Sequence, residues 1–277
     1  MKNFLLQKTI IKPLSGWVPI NLKEIWDYRE LLYFFIWREI KLRYKQTALG
    51  ILWVIIQPFF LMVVFSLFFG RLTKLSSEGL PYPLFTYSAL LPWMLFVEGV
   101  SRSVNFMLQE TNLIKKVYFP RIIMPLAGVL SPLIDFLISF VIFLGLMFYF
   151  KFTPSFKIII WLPLLVFFTL LTALASGLWF SAINVQYRDM RYVMPFIIQL
   201  WFFASPVVYS TNLLPSSWKI IYNLNPMVGI IEGFRWVLLG IESNYFCWDI
   251  WIAVVGIILI SGLLFFRQME KNFADIV

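Results

Sequence analysis

The sequence contains no histidine and a single cysteine. Without an imidazole, a Ser-His-Asp triad, a Cys-His pair and a His-ligated zinc site are all impossible. Cys247 cannot form an internal disulfide, and we expect it to be a small apolar residue. The chain also lacks a G-x-x-x-x-G-K-[ST] motif, so it does not hydrolyse ATP by the P-loop route. Energy for any driven work must come from a gradient or from another polypeptide.

Charge is also scarce, because only 13% of the 277 residues are charged while 61% are hydrophobic. Soluble proteins average about 25% charged and about 45–50% apolar residues. The mean hydropathy of +0.83 points the same way. So little polar surface cannot cover a water-facing protein, and the composition therefore predicts an all-α integral membrane protein.

Long stretches with few charges predict six transmembrane helices, since a bilayer-spanning helix needs about 20 mainly apolar residues. The predicted spans cover about 49–70, 84–105, 121–150, 158–183, 192–210 and 249–266. Residues 1–48 form a predicted cytoplasmic N-terminal segment, and residues 49–277 the transmembrane domain. Region 211–241 is apolar but is broken by Pro215, Pro226 and Gly229, which predicts outer re-entrant helices between spans five and six.

The distribution of positive charge predicts the orientation of the spans. With both termini inside, seventeen Lys and Arg residues fall on inner segments and six on outer ones. Positive residues concentrate on cytoplasmic loops, so we expect cytoplasmic termini in a multi-pass protein. The net charge of +9 is then explained by topology and by contact with anionic lipid, with no nucleic-acid partner. Lys2, Lys8 and Lys12 interrupt the first twenty residues, which do not resemble a signal peptide.

The segment that begins at Asn21 has the pattern of an amphipathic interfacial helix. Asn21 and Glu24 have the spacing of a capping box. Ile25, Leu32, Ile36 and Ile40 share one helical face, and most charged side chains lie elsewhere. Such a helix serves either as a plain cytoplasmic anchor or in energy coupling, and its own residues do not decide between the two.

Several ionisable residues fall within apolar stretches, where a central charge costs about 2.5–3.5 kcal/mol. Glu98 and Arg102 are four residues apart and can pair on one helix. Asp135 is isolated in the sequence, so we interpret it as a structural polar contact to another helix. Glu232 and Arg235, three residues apart, are expected to form a local pair.

Longer motifs resemble a known family. They are RYKQTALGILW at 43–53 followed by Gln57-Pro58, PYPLFTYSALLPW at 81–93, LIKKVYFPRIIMPL at 113–126, NVQYRDMRYVMPFIIQLWFFASPVVY at 184–209 and LNPMVGIIEGFRWVLLG at 224–240. Together, and in this order, they resemble the permease subunits of type-2 ABC exporters of bacterial polysaccharides. The likeness is greatest to O-antigen and teichoic-acid exporters, and capsule exporters are slightly more distant.

The resemblance implies a homodimer in the bacterial inner membrane, with two copies of a separate cytoplasmic ABC ATPase. The substrate would be a lipid-linked polysaccharide of the O-antigen type. ATP and Mg²⁺ would bind the ATPase, and this chain would bind no cofactor or metal and catalyse no reaction. By resemblance, loop 109–121, the amphipathic helix and turn 188–191 would contact the ATPase. The expected coupling residues are Asn112, Lys115, Lys116, Tyr118, Arg121, Arg38, Arg43, Arg188, Asp189 and Arg191.

Helical spacing also predicts surfaces that line a sugar channel. The fifth span has one stripe of Tyr192, Phe196, Gln199 and Phe203, and the first has Trp53, Gln57 and Phe60. Glutamine is costly when it faces lipid, so both stripes should face protein or a channel. Packing remains an equal alternative, and Tyr87 and Trp93 are weaker candidates. An outer gate is predicted at Asn225, Pro226, Glu232 and Arg235.

Other functions remain possible on sequence grounds. A teichoic-acid or capsule exporter permease would share the same motifs. A gradient-driven secondary transporter usually has internal repeats and midplane ion sites, and neither is evident here. A membrane-embedded glycan-transferring enzyme would need paired carboxylates in its loops, which the sequence lacks.

Overall fold

A computed structural model describes residues 22–45, 50–110, 113, 116–187, 189–241, 248–271 and 273. Every regular element in these ranges is a helix. Two helices precede the first apolar segment, namely α1 (Leu22–Asp27) and α2 (Arg29–Lys45). They occupy the segment for which the sequence predicts an amphipathic helix. Asn21, the predicted capping residue, lies outside the described residues, as does Cys247.

The remaining helices follow in chain order and alternate in direction through one bundle. They are α3 (Gly50–Phe65) with a π-helical continuation (Ser66–Leu72), α4 (Tyr82–Gln109), α5 (Ile123–Leu130), α6 (Leu133–Tyr149), α7 (Lys157–Gln186), α8 (Met190–Phe203), α9 (Lys219–Asn223), α10 (Pro226–Leu239) and α11 (Trp248–Glu270). Short 3₁₀ turns cover Thr211–Leu213 and Ser216–Trp218.

Five segments of the described chain are long and apolar enough to cross a membrane. They are Leu52–Leu72, Tyr82–Gln109, Ile123–Tyr149, Lys157–Gln186 and Trp248–Glu270. Each corresponds to one predicted span, and the third consists of α5 and α6 joined at Ser131 and Pro132.

The other predicted span, 192–210, corresponds to α8, a helix of 14 residues. At 1.5 Å per residue it is about 21 Å long, whereas the hydrocarbon core is about 30 Å thick. A turn at 204–206 ends the helix before the predicted boundary. The count of six spans therefore stays a prediction.

The ends of the bundle are named by the residues found there. The basal end holds Gln109, Gln186, Met190 and Glu270, and it is the end that the charge pattern predicts to be cytoplasmic. The opposite end is the apical end. α4 therefore runs from apical to basal, and α8 runs from basal to apical.

Helix α4 forms the centre of the bundle and packs against α3, α5, α6, α7 and α10. Close approach at its basal half depends on small residues. A Cβ atom on Gly128 of α5 would lie 2.6 Å from the Ser103 backbone nitrogen, and one on Gly177 of α7 would lie 2.6 Å from the Ser103 hydroxyl. Small residues allow membrane helices to approach closely, and here they fix α5 and α7 against α4.

Region 211–241 folds into short helices, and α10 is its main element. Thirteen residues of α10 are buried, and the helix packs against α4, α7 and α11. It ends at Gly240, whose φ of +72° is a left-handed conformation that favours glycine. The depth of this region in a membrane, and so its re-entrant character, stays a prediction.

Candidate functional site

Four charged side chains form an ionic cluster between α2, α4 and α6. Arg43 of α2 lies 2.5 Å from Asp135 of α6 and 3.2 Å from Glu98 of α4. Arg102 of α4 lies 2.9 Å from Asp135 and 3.2 Å from Glu98. The predicted pairing of Glu98 with Arg102 is confirmed, as is the prediction that Asp135 contacts another helix. Arg43 was predicted to contact the ATPase, and the structure places it in this cluster.

The cluster balances two positive charges against two negative ones in a partly buried setting. Arg102 and Asp135 side chains are only 14% and 13% exposed. Arg102 also donates to the Ser131 hydroxyl at 3.1 Å, just before the start of α6. Since an unpaired charge in the bilayer costs on the order of 2.5–3.5 kcal/mol, this mutual compensation fixes the end of α2 to the transmembrane helices.

Tyr44, beside Arg43, adds a neutral donor to the same carboxylate. Its hydroxyl donates to Asp135. Burial, together with the hydrogen bond and negative charge of Asp135, raises the pKa of Tyr44 above its usual range. The phenol therefore remains protonated, and Asp135 receives hydrogen bonds from Arg43, Tyr44 and Arg102.

Two further arginines predicted to contact an ATPase hold basal elements together. Arg38 lies 2.5 Å from Glu110, and its guanidinium stacks 5.4 Å and 5.5 Å from the rings of Phe35 and Phe106. Arg121 donates to the Glu270 carbonyl at 2.5 Å. These contacts join α2 to the end of α4, and the loop after α4 to the end of α11.

Four other predicted coupling residues remain exposed at the basal end, namely Lys116, Tyr118, Asp189 and Arg191. Tyr118 donates to Glu24 of α1 at 3.2 Å. Partial burial and the Glu24 carboxylate raise the pKa of Tyr118. Asn112, Lys115 and Arg188 lie outside the described residues. A contact of any of these side chains with an ATPase stays a prediction.

The two predicted lining stripes are exposed on the subunit. On α3 the stripe is Trp53, Gln57 and Phe60, and on α8 it is Tyr192, Phe196, Gln199 and Phe203. The two helices meet near their apical ends, where Phe65 stacks on Phe202 with ring centroids 5.7 Å apart. The stripes thus belong to neighbouring helices, and each has a glutamine flanked by aromatic residues.

Tyr87 and Trp93 lie in the packed interior of the subunit. Tyr87 is 0% exposed and stacks on Phe143 of α6 at 6.0 Å. Trp93 is 4% exposed and contacts Phe96 and Phe202. Because α4 is surrounded by other helices, these rings pack the subunit and have no free face to offer a channel. Helical spacing alone did not reveal which helix would be central.

The predicted pair of Glu232 and Arg235 is confirmed within α10. Arg235 lies 2.9 Å from Glu232 and is 1% exposed. Its guanidinium carbon is 3.7 Å from the Phe85 ring centroid, and its nitrogens donate to the carbonyls of Val207 and Tyr209. The sequence predicted the pair but not these partners, which come from distant positions. Arg235 therefore links α10 to α4 and to the segment that follows α8.

Asn225, the other polar residue of the predicted gate, caps α10 and binds the end of α8. Its Oδ1 accepts from Met227 N at 3.0 Å and from Trp201 Nε1 at 2.8 Å. Its Nδ2 donates to the Ala204 carbonyl and the Ser205 hydroxyl. Pro226 occupies the first helical position, where its missing N–H costs no hydrogen bond.

A bundle of apolar spans with exposed aromatic and amide stripes and charged residues at its basal end has the architecture of a membrane transport subunit. Residues 30–239 match the ABC-2 type transporter family, and since they make up most of the chain, the protein belongs to that family.

Similar proteins include polysaccharide permeases from several bacteria. An O-antigen export system permease of Myxococcus xanthus is 31% identical over 77% of this chain and 82% of its own length. One from Klebsiella pneumoniae is 26% identical over 87% of this chain and 92% of its own. A polysialic acid transport protein of Escherichia coli is 24% identical over 84% of this chain and 91% of its own.

Proposed function

We propose that this protein is the transmembrane subunit of an ATP-driven exporter that carries lipid-linked polysaccharide, of the O-antigen type, across the bacterial inner membrane. The observation that carries the proposal is the pair of exposed stripes on α3 and α8, each with a glutamine at its middle. Similarity to O-antigen export permeases along most of the chain supports the choice of substrate.

The chemistry of the stripes suits a hydrated sugar chain. Aromatic rings stack on the C–H faces of sugars, and amide groups exchange hydrogen bonds with hydroxyls. Gln57 and Gln199 are exposed on the isolated subunit, where lipid would leave their amides without partners. A second copy of the chain that encloses the stripes would supply water and sugar in place of lipid. Six spans and a homodimer with a central channel follow from this proposal.

The basal end is the proposed docking surface for the ATPase. Lys116, Tyr118, Asp189 and Arg191 offer exposed polar groups there. α2 is fixed to α4 and α6 by the ionic cluster, so a push at the basal end can reach the spans. ATP and Mg²⁺ would be held by two copies of the ATPase. Both termini would then lie in the cytoplasm.

Depletion of the protein in its native cell tests the function. We expect surface polysaccharide to disappear while lipid-linked glycan accumulates inside, and expression of the wild-type chain to restore export. Unchanged surface polysaccharide after depletion would contradict the proposal. A matched strain that re-expresses the chain with Phe148→Ala, an exposed residue of α6 outside both stripes, controls for expression and insertion.

The energy source is tested in inverted membrane vesicles that contain the complete transporter. Export should require ATP and continue in the presence of an uncoupler at constant ATP. Export that stops with the uncoupler would instead identify a gradient-driven transporter.

A further inference from the structure

A groove of about 250 Å³ lies between α4 and α8 near the basal end. It is separate from the ionic cluster, because its walls are Val97, Ser101, Val104 and Asn105 of α4 and Arg191, Met194, Pro195 and Ile198 of α8. One water occupies about 30 Å³ in the liquid, so the groove has room for a polar group of several heavy atoms.

The groove changes in polarity along its length. On α4, Val97, Ser101 and Asn105 follow one another at four-residue intervals from the middle of the helix toward the basal end. On α8, Arg191 is basal and Ile198 lies two turns deeper. The polar groups therefore gather at the basal mouth and the apolar ones lie toward the centre of the bundle. This gradient fits a molecule with a polar head and a hydrocarbon chain.

Arg191 gives the mouth of the groove a positive charge. Its guanidinium stacks 5.3 Å from the ring of Tyr192. No carboxylate lines the groove, and among the described residues Arg191 has no carboxylate partner within 4 Å, unlike Arg38, Arg43, Arg102, Arg235 and Arg267. An arginine fork pairs well with phosphate oxygens, and the Asn105 amide and Ser101 hydroxyl are further donors.

The groove adjoins the α8 stripe. Arg191, Pro195 and Ile198 each precede a stripe residue by one position, namely Tyr192, Phe196 and Gln199. A head group held at Arg191 would therefore place whatever is attached to it beside the aromatic surface proposed to bind sugar.

We propose that the groove between α4 and α8 binds the phosphate of the lipid anchor that carries the glycan, with Arg191 pairing with the phosphate and Asn105 and Ser101 donating to it. The proposal rests on the proposed function and gives it an entry site for substrate. Arg191 is then a substrate-binding residue, and ATPase docking falls to the other exposed basal residues.

Binding of a soluble probe to the purified full-length chain tests the site. The probe is farnesyl diphosphate, which joins a diphosphate to a short isoprenoid, and farnesol is the uncharged comparison. We expect R191Q to weaken farnesyl diphosphate binding at least tenfold in native mass spectrometry, with R191K intermediate. Farnesol should bind both proteins equally weakly. Equal binding of the diphosphate to wild type and R191Q would overturn the proposal.

The matched control is R29Q, which removes an exposed arginine from the start of α2, outside the groove. It should bind the probe as wild type does, and an equal loss in R29Q would reduce the effect to overall charge and overturn the site. N105L gives a second test without a change of charge, and we expect it to weaken binding severalfold. Unchanged binding in N105L would remove the amide from the site.

Two further measurements separate the rival explanations. If phosphatidylglycerol displaces farnesyl diphosphate at equal concentration, the occupant is an anionic bilayer lipid and the assignment to the glycan anchor is wrong. If R191Q loses its ATPase on purification yet keeps the probe, Arg191 is a coupling residue and the site is refuted. Either result leaves the proposed export function standing, since that function depends on depletion and re-expression.

Discussion

Arg43 and Asp135 lie 92 positions apart in the sequence, and a hydrogen bond of 2.5 Å joins Arg43 Nη1 to Asp135 Oδ2. The bond ties the end of an interfacial helix to the start of α6. Arg102 binds the same carboxylate oxygen from α4, so one aspartate connects three elements. A force applied to α2 therefore reaches two helices of the bundle directly.

Removal of the Asp135 carboxylate should destabilise the protein. D135N leaves Arg43 and Arg102 with only Glu98 as an acidic partner, and breaking a buried pair costs about 3–5 kcal/mol. Because the site is partly exposed, we expect a cost near the lower end of that range. Thermal unfolding in detergent, followed by size-exclusion chromatography, measures the loss.

A double-mutant cycle supplies the control for that experiment. R43Q together with D135N removes one cation along with the carboxylate, so the pair should cost less than the sum of the single substitutions. Additive losses would show that Arg43 and Asp135 do not interact.

The parts of the fold that sequence predicted are those set by hydropathy, and the parts it missed are set by packing between distant helices. Five apolar stretches became spans because length and composition are local properties. Asp135 was recognised as needing a partner, but nothing near it in the sequence indicated Arg43. Tyr87 and Trp93 have the same helical spacing as lining residues, and only the central position of α4 makes them interior.

The apical pair gives a second prediction. R235M would leave Glu232, which is 2% exposed, without its cation and would remove the donors to Val207 and Tyr209. We expect a loss of about 3–5 kcal/mol, visible as a lower unfolding temperature. R235K keeps the charge but not the planar fork, so it should lie between wild type and R235M.

The double variant E232Q with R235M is the control for charge, since it leaves no carboxylate unpaired. It should recover part of the stability lost in R235M. A double variant no more stable than R235M would show that packing against Phe85, rather than the ion pair, supports α10.

The α8 stripe predicts a defect in transport without a defect in assembly. Q199L with F203A removes an amide and an aromatic ring from an exposed surface, so the fold should change little while glycan export falls severalfold. Surface polysaccharide per unit of membrane-inserted protein measures the effect. F148A, another exposed phenylalanine outside the stripe, should export normally. Equal export by all three proteins would favour packing as the role of the stripe.

The basal surface predicts a defect in ATPase recruitment. K115E with K116E reverses two charges on the loop after α4, so we expect less ATPase to co-purify and less glycan to be exported. Membrane insertion should be unaffected, as measured by the yield of folded chain. K74E with K151E reverses two exposed charges at the apical end and should retain the ATPase. Wild-type export by the basal variant would refute the assignment of this loop.

The contact between α4 and α5 predicts a sharp difference between two glycines. A Cβ at Gly128 would lie 2.6 Å from the Ser103 nitrogen and 2.7 Å from its Cα, whereas one at Gly145 of α6 meets nothing within 4 Å. G128A must therefore push α4 and α5 apart, and overpacking of this kind costs about 1–3 kcal/mol. G145A should be neutral or stabilise by up to about 1 kcal/mol, since alanine favours the helix. Thermal unfolding of the two variants side by side measures the difference, and equal unfolding temperatures would mean that the basal half of the bundle tolerates separation of α4 from α5.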